Sequence, residues 1–301
     1  MKIIPVILAG LIVLCGCSLR RTAVNQVGNA LAGGGGVFAS DDDPELIRQA
    51  VPFGLKLQES LLAESPRHRE LLLATARGFT QYAYAFVQED ADELDDKDVA
   101  AAKVLHGRAR RLYLRAREYG LRGLEVSHPG FGQQLRANAK QAVQSATVRD
   151  VPLLYWTAAA WGAAIADSKD RPESVADLPQ MVALIERALE LDETFEQGAI
   201  HEFLINYEMA RPGGKPADAV ARAKQHFDRA VALSAGKLAG PFVTYAEAVC
   251  VKQQQHAEFE KLLKQALAID ADAVPEARLV NLVMQRRARW LLSKTDDLFA
   301  E

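Results

Sequence analysis

The sequence predicts an all-α protein assembled from successive helix pairs, and three observations predict it. Apolar residues recur with a helical period from residue 44 to the end, and no stretch alternates as a half-buried strand would. Ala, Leu, Arg, Glu and Gln dominate that stretch, and most of these lose little side-chain freedom in a helix. Finally, one helix ending recurs, as Ile185-Glu-Arg-Ala188-Leu-Glu-Leu-Asp192, Phe227-Asp-Arg-Ala230-Val-Ala-Leu-Ser234 and Leu263-Lys-Gln-Ala266-Leu-Ala-Ile-Asp270. The three alanines lie 42 and 36 residues apart, and each ending is followed by a short turn and a second apolar helix.

The first seventeen residues have the layout of an export signal. Lys2 is basic, Ile3 to Leu14 form an apolar run, and Leu14-Cys15-Gly16-Cys17 follows. The run is too short to span a bilayer, which takes about 20 residues. Leu14, a small residue and Gly16 ahead of Cys17 resemble a lipobox, so residues 1–17 read as a lipoprotein signal and Cys17 as the lipidated new N-terminus. Ser18 at the next position points to the outer membrane rather than the inner one.

Residues 18–40, with Gly33-Gly34-Gly35-Gly36, read as a flexible tether. They lack the Lys-Ser/Thr and the preceding strand of a phosphate-binding loop. A single helical domain then spans 41–301. It opens at Asp43-Pro44-Glu45, where an N-cap acid, a first-turn proline and a first-turn carboxylate start a helix. Helices are expected at 44–63, 66–89, 97–125, 131–146, 151–168, 174–192, 195–210, 214–234, 240–251, 255–269 and 274–294. Pro52 falls inside the first and should kink it. Glu89 to Asp98 is rich in acids and reads as a solvated loop, without the glycine and terminal Glu of a calcium loop. Short connections make consecutive helices antiparallel neighbours.

The chain has 301 residues, 49% hydrophobic and 25% charged, which is ordinary globular composition. A net charge of −3 gives no strong field to attract nucleic acid. With Cys15 in the signal and Cys17 carrying lipid, Cys250 has no disulfide partner. It sits in an apolar helical run and reads as a buried structural thiol.

Several groups invite a functional reading. The run from Val151 to Ala166 carries no charge, so its helix must be buried in protein. It holds Tyr155, Trp156 and Trp161, and the two tryptophans point about 140° apart on a helical wheel. One can pack in the core while the other lines a cavity. His201 and Glu202 suggest a zinc protease helix, but the second histidine of that motif is replaced by Ile205. A buried Glu202 needs a partner, and Lys237 is a candidate. Arg286, Arg287, Arg289 and Trp290, with Asp296 and Asp297 close by, read as a structural ion-pair cluster. No catalytic, metal or cofactor motif stands out, so an enzyme is the least supported class.

The repeated helix endings approximate the roughly 34-residue period of tetratricopeptide repeats in degenerate form. Five segments then carry a closer resemblance: Phe38-Ala-Ser-Asp-Asp-Asp-Pro-Glu-Leu46, Leu154-Tyr-Trp-Thr-Ala-Ala-Ala-Trp-Gly162, Gly198-Ala-Ile-His-Glu-Phe-Leu-Ile205, Ser234-Ala-Gly-Lys-Leu-Ala-Gly-Pro-Phe242, and Arg287-Ala-Arg-Trp-Leu-Leu292 followed by Asp296-Asp-Leu-Phe299. Together they resemble the TatT family of tetratricopeptide-like lipoproteins associated with tripartite ATP-independent periplasmic (TRAP) transporters. The resemblance implies a helical fold with an internal cavity, trimer formation, docking to a TRAP-type periplasmic solute-binding protein, and handling of a small hydrophobic ligand. It supplies no assigned ligand residues. Tyr155, Trp156, Trp161, His201, Glu202 and Lys237 are the cavity candidates read from this chain itself. The alternative is a structural scaffold lipoprotein in envelope or outer-membrane assembly.

Overall fold

The computed structural model describes residues 24–33, 35–167, 176–213 and 215–299, and every regular element among them is helical. The export signal and Cys17 lie outside the described residues. Helix α1 (Pro44–Glu64) starts as its sequence directs: the Asp43 carboxylate accepts from the backbone N–H groups of Glu45 and Leu46, at 3.0 Å each. It runs through Pro52 as one helix. Helix α2 (Arg69–Ala83) passes through a π-turn (Tyr84–Gln88) into α3 (Glu89–Leu94). Then come α4 (Val99–Ser127), the short helices Phe131–Ala137 and Ala139–Ala142, α5 (Val151–Ala166) and α6 (Leu178–Leu191). The second part holds α7 (Ala199–Ala210), α8 (Pro216–Leu233) and α9 (Gly240–Tyr245), which leads into a second π-turn (Ala246–Cys250). Helices α10 (His256–Ala268) and α11 (Arg278–Ser293) and a short helix Thr295–Leu298 complete it.

Packing follows chain order. Helices α2, α4, α5 and α6 lie against one another in turn, as do α7 to α11. The α4–α5 seam is close because α4 presents Gly120 and Gly123; a Cβ on Gly120 would lie 2.1 Å from Thr157 Oγ1. The core includes Leu71, Leu72, Leu153, Leu154, Leu184, Ile185 and Ile200, all without accessible surface, each contributing about 1.5–3 kcal/mol. The three repeated alanines, Ala188, Ala230 and Ala266, are likewise sealed inside. Cys250 is buried, and burial pushes its thiol up to about 12, so it stays protonated.

Two expectations need correction. Residues 24–33 and Gly35–Ala39 are helical, not an open tether. Leu31 packs with Leu62, Leu71 and Leu72, and Ser65 Oγ donates to Asn25 Oδ1 at 2.7 Å, which gives this segment a docking face. The acid-rich segment is not a solvated loop either. Glu89 to Leu94 is helix, and Glu89 has no accessible surface. Its acids meet the last long helix. Arg286 pairs with Asp90 and Glu93 at 2.8 Å, and Arg287 with Asp92 at 2.6 Å, with Glu247 at 2.9 Å and with Glu89 at 3.4 Å. Arg278 donates to the Ser40 carbonyl at 2.7 Å. The arginine cluster is structural as expected, but its partners come from the beginning of the domain and from the second π-turn. Of the nearby acids, Asp297 meets Lys294 at 3.1 Å. The last helix thus closes the chain onto its first part.

Candidate ligand recess

The six cavity candidates separate into several places. Trp161 is buried in the α5 seam; its Nε1 donates to Asp177 Oδ2 at 3.0 Å and the Arg117 guanidinium covers its ring at 4.8 Å. Beside it lies a small half-open pocket of about 190 Å³, which Arg110, Leu114 and Ile165 also line. His201 is buried between α7 and α8, with Nδ1 2.9 Å from His226 Nδ1 and Nε2 3.3 Å from Glu193 Oε2. Burial holds both imidazoles below their ordinary pKa, so the pair shares a proton as neutral rings and joins the two helices. Lys237 is exposed on the turn after α8, where its backbone carbonyl accepts from Asn281 Nδ2 at 3.0 Å. It is not the partner of Glu202.

Tyr155 and Trp156 come together, Glu202 lies within electrostatic reach of Tyr155, and other residues join them. The Tyr155 and Trp156 rings meet edge to face at 5.0 Å, and Phe195 approaches Tyr155 at 5.2 Å. The Arg77 guanidinium lies over Trp156 at 5.5 Å and reaches Glu196 at 3.6 Å. Glu202 accepts from the Thr244 hydroxyl at 3.2 Å. Its carboxylate lies against Gly240, where a Cβ would come within 2.4 Å of Oε1, so only glycine leaves the carboxyl its present place. Tyr84, at the first π-turn, faces the same interior and feels Glu202 as well as Glu89, Glu247 and Arg287. Its hydroxyl reaches Met284 Sδ at 3.6 Å.

Glu202, Tyr155 and Tyr84 are half-buried rather than sealed, which leaves this group open as a candidate recess. Desolvation pushes the Glu202 carboxyl up to about 7, with only the Thr244 hydrogen bond opposing it. Glu196 is raised by the same cause, against the pull of Arg77. Sequence reading missed Arg77, Tyr84, Glu196 and Thr244. No local signal marks them, because they come from α2, a π-turn, the turn before α7 and α9. Glu196 and Gln197 carry positive φ, of 43° and 57°, in the turn that delivers Glu196.

A cation could be held elsewhere. Asp92, Asp95 and His106 bring ligand atoms within 4.8 Å of one another. Asp92 is already engaged by Arg287, and His106 lies 3.2 Å from Asp95 and 3.8 Å from Asp167, which makes an ion-pair cluster the simplest account. No helix among the described residues is long and apolar enough to cross a membrane.

The fold defines the class first: an all-helical protein of consecutively packed helices, closed by its last helix. The chain belongs to the TRAP transporter T-component family, whose model matches residues 40–299. It is 31% identical over 314 residues to an uncharacterized protein of Treponema pallidum (strain Nichols), with 97% of this chain and 96% of the relative covered. Membership makes the chain an accessory component of a TRAP transporter.

Proposed function

We propose that this protein is a lipid-anchored accessory of a TRAP transporter on the periplasmic side of a bacterial membrane, which holds a small, largely apolar ligand and docks to the solute-binding protein. It would act by binding and transfer and not as an enzyme. The observation that carries the proposal is the recess. The rings of Tyr155, Trp156 and Phe195 with Arg77, and the Glu202–Thr244 pair within electrostatic reach of Tyr155, supply the mixture of apolar and polar groups of a small-molecule site. Lipidation at Cys17 would hold the protein beside its partner. Transfer across a docked interface would spare an apolar ligand from crossing open water.

Calorimetric titration with the solute-binding protein of the same transporter tests this. Saturable association in the micromolar range or tighter is expected. Absence of heat and of co-sedimentation at high micromolar concentrations, for the full mature chain, would overturn it.

A further inference from the structure

We propose that the recess takes an apolar ligand carrying a protonated amine, with Glu202 as its anionic partner; this rests on the recess being a ligand site. Of the carboxyls near the rings of Tyr155 and Tyr84, Glu202 is the one left aside by the ion pairs. Tyr155 lies within the field of Glu196, Glu202 and Arg77, and Tyr84 within that of Glu89, Glu202, Glu247 and Arg287. Two guanidiniums serve the other three carboxyls. Both guanidiniums are committed, Arg77 to Glu196 at 3.6 Å and Arg287 to Glu247 at 2.9 Å. Glu89 is sealed away from any ligand and lies 3.4 Å from Arg287.

Glu202 is different. It retains accessible surface, and among the described residues its hydrogen-bond partner is the Thr244 hydroxyl and no base pairs with it. A buried carboxyl without a base is costly to ionise, and a ligand ammonium removes that cost. Tyr155 and Tyr84, both within the electrostatic reach of Glu202, add electron-rich rings, which attract a desolvated cation. Gly240 leaves the carboxyl its present place, where any Cβ would collide with it.

The test compares three eight-carbon probes on the full mature chain, octylamine, octanol and octanoate, by calorimetry and by quenching of tryptophan fluorescence. Octylamine is expected to bind more tightly than octanol by about tenfold or more, with octanoate weakest. Its affinity should rise between about pH 6 and pH 8, as Glu202 gives up its proton, although the amine stays charged throughout. Glu202→Gln should abolish both the preference and the pH dependence. Circular dichroism and the urea unfolding midpoint show whether the variant is folded. Equal or tighter binding of octanol or octanoate would overturn the amine assignment and leave the ligand site standing. Failure of all three probes to bind would overturn the site as well.

Discussion

Two interior carboxyls, Glu89 and Glu202, are both pushed up to about 7 by desolvation, yet their surroundings differ. Glu89 belongs to a clasp. Arg287 gathers Glu89, Asp92 and Glu247 around one guanidinium, and Glu89 has no accessible surface. Glu202 has a hydroxyl and retains accessible surface. The difference teaches how to separate structure from function among buried acids. An acid that shares a base in a sealed setting ties helices together, whereas an acid without a base that borders a recess has its charge left for something else to neutralise.

The largest expected effect comes from breaking the clasp. Arg287→Met removes the guanidinium that three carboxyls share and should cost about 3–5 kcal/mol of stability, read as a shift in the urea unfolding midpoint. Loss of less than about 1 kcal/mol would mean that the clasp does not hold the last helix in place.

A smaller effect sharpens the comparison through pH. A carboxyl whose folded pKa is raised keeps its proton in the folded chain after the unfolded chain has lost it. Stability contributed by Glu202 and Glu89 is therefore complete below about 4.5 and is lost as pH rises to and through about 7. Glu202→Gln should flatten part of that decline, and Glu89→Gln another part, in denaturation curves measured across this window. An unchanged slope in both variants would show that neither acid keeps its proton in the fold.

The smallest effect belongs to Gly240→Ala. The added methyl would collide with the far end of the Glu202 side chain, which is flexible, so stability should change by less than about 1 kcal/mol. The carboxyl should nonetheless move, and its titration, followed by carbon NMR of labelled glutamate, should shift towards an ordinary value. A titration identical to that of the parent protein would show that Gly240 does not position it.

Much of the fold was legible from local chemistry. Asp43-Pro44-Glu45 starts α1 as read, because caps act within one turn, and the uncharged run from Val151 to Ala166 forms the buried α5. What failed depended on distant residues. Glu89 to Leu94 looked solvated because its partners are distant, Arg48 42 residues earlier and Arg286 and Arg287 about 195 residues further on. Residues 24–33 looked like a tether because their docking face, the Leu62, Leu71 and Leu72 cluster, comes later in the chain. The site was half legible. Tyr155 and Trp156 meet, with Glu202 within electrostatic reach of Tyr155, but Lys237 turns outward, and the groups that complete the recess come from four other elements.

The return of α11 to α3 also sets a timetable. Arg48 already pairs with Asp90, but Arg287 reaches Glu89 across a sequence separation of 198 residues, so Glu89 and Asp92 must wait for nearly the whole domain before their guanidinium arrives. A chain interrupted before residue 278 leaves Glu89 and Asp92 without that guanidinium, so the arrival of α11 is a late step in assembling this part of the fold.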